Sequence, residues 1–207
     1  MIKDDNNIDF EDLLENSNSI NNYSNNMYGK LTFYTGPMFS GKTTALLKDI
    51  IWSKLQEEEI LIFKPSIDSR YSEEKIISHD SVSTNATPIK SWPINIPKEI
   101  KSIYIDEVQF LYGQSYDGDI INDIKRSLEK GINVTACGLD MDWKGEAFIL
   151  SGKLMAMADS VKKFHSLCSE CGKPATKSFK RTKNDLKIEV GGSSLYEPRC
   201  NKHWSYN

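Results

Sequence analysis

Residues Gly36-Pro37-Met38-Phe39-Ser40-Gly41-Lys42-Thr43 form a complete G-x-x-x-x-G-K-[ST] phosphate-binding loop. Such a loop works only where a buried strand feeds the N-terminus of a helix, so it dictates the architecture around it. Leu31 to Tyr34, just before it, is apolar and β-prone, and Thr44 to Gln56, just after it, has helical character. Ala45, Leu46, Ile50 and Leu55 are the expected face packed on a sheet. Within the loop, amides point at the α- and β-phosphates of a nucleoside triphosphate, and Gly36 and Gly41 tolerate the backbone angles this needs. Lys42 reaches the β- and γ-phosphates, the Thr43 hydroxyl is placed to ligate Mg²⁺, and Thr44 closes the phosphate-binding set.

Strands and helices alternate from Lys30 onward, the mark of an α/β fold around a mainly parallel sheet. Ile60 to Phe63, Ser102 to Ile105 and Ile132 to Cys137 read as buried strands. Asp119 to Lys130 reads as a crossover helix stopped by Gly131. Beyond about Val161 the pattern becomes short strands, cysteines and a Gly-Gly turn, which suggests a small attached module. With 207 residues the chain has room for one domain and such a module. Residues 1–28 differ from the rest: eight asparagines and a group of acids accompany a single base, Lys3. This stretch is expected to be disordered, apart from a short acidic-apolar segment from Ile8 to Leu14 that suits a helix on a partner.

Ser102-Ile-Tyr-Ile-Asp106-Glu107 is an apolar strand that ends in two acids. Ligands of open α/β sheets bind beyond the carboxyl ends of the strands, so Asp106 is expected beside the phosphate loop, holding Mg²⁺ together with Thr43. Glu107 is the candidate general base. In an ATPase it would orient water, and in a kinase it would take the proton of an acceptor hydroxyl.

Cys168-x-x-Cys171 and Cys200-x-x-His203 are two close ligand pairs separated by a long insertion, a spacing suited to a structural Cys₃His zinc site with no open position. Cys137 reads as a buried thiol of the apolar strand, and His79 and His165 as structural residues. The N-terminus lacks the basic start and apolar core of a secretory signal, and no apolar run approaches the roughly 18 residues of a membrane span. A cytoplasmic protein with reduced thiols, without membrane contact, is the expectation. The net charge of −3 argues against a nucleic-acid partner.

In order along the chain, these motifs resemble the zinc-containing, cytosolic-type thymidine kinases. Besides 36–43, the resemblance rests on Asp68-Ser-Arg70-Tyr71, Ser78-His-Asp80, Asp106-Glu-Val-Gln-Phe110, Gly138-Leu-Asp-Met-Asp-Trp-Lys-Gly-Glu-Ala-Phe148 and Val190-Gly191-Gly192-x-x-x-Tyr196. It implies ATP- and Mg²⁺-dependent phosphorylation of the 5′-hydroxyl of thymidine, and of deoxyuridine, with Glu107 as general base. Lys42 and Arg70 would act on the transferring phosphoryl group, and Asp68 would join Thr43 and Asp106 at the metal. Met38, Gln109, Phe110, Leu139, Trp143, Phe148, Ser178 and Tyr196 match nucleoside-pocket positions. A loop from about Phe179 to Tyr196 would cover the nucleoside, with the backbone at Val190, Gly191 and Gly192 reading the thymine edge. The implied fold is a P-loop (RecA-like) domain over 29–162 and a zinc-binding subdomain over 163–207, following the 1–28 extension. A homotetramer and feedback by dTTP are further implications.

The sequence departs from the family pattern at Trp143, where Phe is usual, and at Ser178 and Lys180, where Thr and Arg are common. A nucleic-acid-dependent ATPase with a zinc ribbon shares the phosphate loop, the Asp-Glu pair and the cysteine pairs. It is disfavoured by the short chain, the missing basic groove and the aromatic-rich segment after Gly138.

Overall fold

The structure is a computed structural model that describes residues 28–68, 75–77, 82–182 and 191–205. The expected strand, loop and helix are β1 (Leu31–Thr35), the phosphate loop and α1 (Lys42–Leu55). They are followed by β2 (Ile60–Pro65), β3 (Lys75–Ile77), β4 (Ser83–Asn85), β5 (Thr87–Ile89) and β6 (Ser102–Ile105). Two short 3₁₀ turns, Val108–Phe110 and Gly113–Ser115, lead to α2 (Ile120–Glu129). After β7 (Asn133–Gly138), α3 (Ile149–Met157) and β8 (Ser160–Lys163), the chain ends in two small antiparallel pairs. These are β9 (Ser166–Leu167) with β10 (Pro174–Ala175), and β11 (Lys177–Lys180) with β12 (Tyr196–Arg199).

The main sheet has the order β5-β2-β6-β7-β1-β8, and every pairing in it is parallel. Its side chains alternate between two cores. Leu31, Phe33, Ile103, Ile105, Val134 and Ala136 face one side, where Ile120 and Ile124 of α2 and Leu150 and Leu154 of α3 cover them. Ile62, Tyr104 and Cys137 face the other side, under Leu46, Leu47 and Ile50 of α1. Each such aliphatic side chain, fully buried, contributes about 1.5–3 kcal/mol relative to exposure. α2 begins where the Asp119 carboxylate accepts from the Ile121 backbone N–H at 3.0 Å, and it stops at Gly131 with φ 79°.

Two expectations change. Leu55 does not pack on the sheet and is 73 % exposed, because nine residues after Leu46 is about half a turn off the buried face at 3.6 residues per turn. Ser53 occupies that face instead. The segment from Ser160 to Lys163 pairs with β1 as the sixth strand of the main sheet, so the change of pattern near Val161 falls inside the sheet. An edge strand exposed along its whole length offers no apolar run to mark it. No helix among the described residues is long and apolar enough to cross a membrane.

Candidate active site

The loop between β1 and α1 takes its shape from residues with unusual backbone angles. Gly36 has φ 138° and lies so close to Phe164 that a Cβ would sit 2.4 Å from its carbonyl oxygen. Gly41, φ 83°, opens α1, and Phe39 between them also has positive φ. The N-terminus of the helix therefore borders a cavity of ≈ 440 Å³, the place an anion site occupies. Residues Met38 to Thr44 line that cavity, and Pro37 contributes its carbonyl, which accepts from Lys42 Nζ at 2.7 Å. Burial lowers the Lys42 pKa, opposed by the nearby Glu107, Cys137 and Asp106.

β6 delivers Asp106 and Glu107 to the same cavity. Asp106 Oδ1 accepts from Thr43 Oγ1 at 3.3 Å, from the Glu107 backbone N–H at 3.0 Å and from Cys137 Sγ at 2.8 Å. Thr43 and Asp106 are thus side by side, as two ligands of one divalent cation must be. Cys137 is buried as expected, and burial beside Asp106 pushes its thiol pKa well up, so it stays a donor. Glu107 is left-handed (φ 49°, ψ 39°), an angle costly for a residue with a Cβ and the kind of strain that collects at working sites. Its Oε2 accepts from Gln109 Nε2 at 2.5 Å, while Gln109 Oε1 accepts from the Leu139 N–H at 3.0 Å. Both ends of the Gln109 amide are therefore engaged inside the protein. Gly138 permits this approach, since a Cβ there would lie 2.4 Å from Gln109 Oε1.

Of the residues expected at a nucleoside, Met38, Leu139 and Tyr196 line the main cavity together with Asp68. Phe110 and Phe148 meet edge to face, with centroids 6.4 Å apart, and with Gln109 line a second, apolar cavity of ≈ 250 Å³. Ser178 Oγ accepts from the Met38 N–H at 3.1 Å, and Ser166 Oγ donates to the Phe39 carbonyl at 3.0 Å, so the C-terminal strands clasp the phosphate loop. The two departures Trp143 and Lys180 meet: Lys180 Nζ lies 5.3 Å from the Trp143 ring centroid, and Lys144 Nζ lies 5.1 Å from it. The Gly192 carbonyl accepts from the Leu195 and Tyr196 N–H groups, and Gly191 packs against Leu195. Arg70, Ser78 to Asp80 and Val190 lie outside the described residues, as do residues 1–27.

Cys168, Cys171, Cys200 and His203 come together with all four ligand atoms within 4.8 Å of one another. Cys171 Sγ and Cys200 Sγ are 3.8 Å apart, and His203 Nδ1 lies 3.4 Å from Cys200 Sγ. Tetrahedral bonds of about 2.0–2.3 Å to a single ion require separations of this size. Burial works against the Cys168 thiolate, but backbone N–H donors around Cys200, Glu170 and Cys171 and the His203 ring prevail, and its pKa falls to about 6. The donor set fits a closed structural zinc site. His165 is not a member of the cluster.

Sequence reasoning missed Lys64, Arg181 and Glu197, which also line the main cavity. Lys64 sits in an apolar strand with no motif around it, and the Arg181–Glu197 pair (2.8 Å) forms only when β11 and β12 come together.

The profile of the family described as thymidine kinase matches residues 29–204. A thymidine kinase of Bacteroides thetaiotaomicron is 40% identical over 174 residues, covering 83% of this chain and 85% of that protein. A thymidine kinase of Bacteroides fragilis (strain YCH46) is 39% identical with the same coverage of each chain.

Proposed function

The chain belongs to the thymidine kinase family, and we infer that it carries out phosphoryl transfer from ATP to the 5′-hydroxyl of thymidine, giving dTMP and ADP. The observation that carries this reading is one cavity bearing the phosphate loop, the Thr43–Asp106 pair and a strained, tethered Glu107. In our reading the triphosphate lies against the loop amides and the N-terminus of α1, with Lys42 beside its β- and γ-phosphates. Thr43, Asp106 and Asp68 would hold Mg²⁺, which offsets charge on the phosphate oxygens when bound. Glu107 takes the proton of the 5′-hydroxyl as that oxygen attacks the γ-phosphorus, and ADP leaves. Gln109 keeps the Glu107 carboxylate from swinging away, and Arg70 is assigned to the transferring group.

Met38, Leu139 and Tyr196 would flank the nucleoside, with Phe110, Phe148 and Trp143 completing the apolar walls and Ser178 supporting Met38. The backbone at Val190, Gly191 and Gly192 would read the thymine edge. Zinc at Cys168, Cys171, Cys200 and His203 would hold the C-terminal strands that clasp the phosphate loop. Deoxyuridine, which lacks only the thymine methyl group, is a second substrate on this reading, and dTTP is the feedback inhibitor.

We assign the enzyme to the cytoplasm and to a homotetramer. Two surfaces support assembly. On α1, Ile51, Trp52 and Leu55 form an exposed apolar stripe, and the outer edge of β8 has no partner strand among the described residues.

Transfer of labelled γ-phosphate from Mg-ATP tests the function, with thymidine, deoxycytidine and single-stranded DNA as separate additions. Rapid dTMP formation with thymidine is expected. Release of free phosphate stimulated by DNA, without dTMP, would contradict it.

A further inference from the structure

Lys64 is the penultimate residue of β2, and its side chain is 4 % exposed. The preceding residue, Phe63, accepts from the Asp106 N–H at 3.0 Å, so Lys64 follows directly on the backbone bond that anchors the Asp106-Glu107 pair. Its ammonium lies 4.0 Å from Asp68 Oδ2, a carboxylate that is itself 8 % exposed, and donates to the Lys75 carbonyl at 3.2 Å. One ammonium thus meets both the Asp68 carboxylate and the Lys75 carbonyl. Lys64, Asp68 and Lys75 all line the main cavity, as the phosphate loop does.

A buried ammonium is costly unless it is paired, and an apolar side chain of similar length would fill the same space without that cost. Ile62 and Phe63 show that β2 otherwise buries apolar groups at this end. The charge at Lys64 therefore needs a reason beyond packing, and the carboxylate it faces supplies one.

We propose that Lys64 is a positioning residue for phosphoryl transfer, its ammonium holding the Asp68 carboxylate toward the phosphate loop. The proposal rests on the assignment of the main cavity to Mg-ATP, and it deepens that reading. On this proposal Lys64 acts through Asp68, so removing the ammonium and removing the Asp68 charge have overlapping effects on the metal side.

The test compares Lys64→Met, Asp68→Asn and the double variant in the full chain. Mn²⁺ binding is followed by electron paramagnetic resonance with ADP present, and kcat and KM are measured alongside. Lys64→Met is expected to weaken Mn²⁺ binding and lower kcat by about 10- to 100-fold, the usual effect of losing a support behind a ligand. Thymidine affinity should stay within about two-fold, because the support acts on the metal and phosphate side. The double variant should match Asp68→Asn alone, and Lys64→Arg, which keeps the charge, should recover part of the Mn²⁺ affinity. Unchanged Mn²⁺ affinity in folded Lys64→Met, or losses that multiply in the double variant, would overturn the proposal. If Lys64→Met fails to fold, the double variant, which lacks both buried charges, decides the matter against Asp68→Asn. Wild-type dTMP formation, run in parallel, separates failure of this idea from failure of the functional assignment.

Discussion

Gln109 ties Glu107 to the rim of the pocket: its Nε2 donates to Glu107 Oε2 at 2.5 Å, and its Oε1 accepts from the Leu139 N–H at 3.0 Å. The backbone donor at Leu139 fixes which way the amide faces, and the amide fixes where the carboxylate points.

Gln109→Leu keeps the volume and removes both bonds. The expected result is a fall in kcat of about 10- to 100-fold, in line with displaced reacting groups, with KM for ATP nearly unchanged. Steady-state kinetics check this, and an unchanged kcat would mean Glu107 needs no tether.

Gly138→Ala should reproduce part of that loss from the other side. The new Cβ would sit 2.4 Å from Gln109 Oε1 and 3.1 Å from Val108 Cγ1. Overpacking of this kind costs about 1–3 kcal/mol, which chemical denaturation measures directly. Wild-type stability together with wild-type turnover would contradict the close approach.

Zinc removal should act on the pocket through contacts already in place. Trp204 follows His203 and packs on Gly145, where a Cβ would lie 2.9 Å from its ring, next to the Trp143 turn. Tyr196 of β12, four residues before Cys200, lines the main cavity with Met38 and Leu139, the residues assigned to the nucleoside. Metal-free protein should lose thymidine affinity before ATP affinity, as measured by calorimetry with each ligand. Equal affinities with and without zinc would uncouple the cluster from the site.

Trp143 and Lys180 lie 37 positions apart in sequence, yet the ammonium of one rests over the ring of the other. A double-mutant cycle with Trp143→Phe and Lys180→Met should give a coupling of about 0.5–2 kcal/mol, because Phe offers a weaker face to a cation. Additive effects would mean that the ammonium and the ring are not energetically coupled.

What the sequence revealed and what it concealed follow from locality. The phosphate loop, the Asp106-Glu107 strand end and the cysteine pairs are contiguous motifs, each placed by one strand or turn, so their spacing alone shows their chemistry. Lys64 is different. It lies inside an apolar strand, and it becomes informative only when Asp68 and the Lys75 carbonyl come to it. The Cys137 bond to Asp106 spans 31 positions between neighbouring strands, and nothing in either segment announces it. Leu55 misled because an apolar residue at a helix end satisfies composition while missing the face, and β8 because an exposed parallel edge strand carries no hydrophobic pattern.

The most direct measurement is dTMP formation by Glu107→Gln beside wild type, with bound ATP and thymidine quantified in both. The account predicts a drop in kcat of about 10²-fold or more with both ligands still bound, since only the proton acceptor has been removed. Turnover equal to wild type would take the base role from Glu107 and contradict the mechanism.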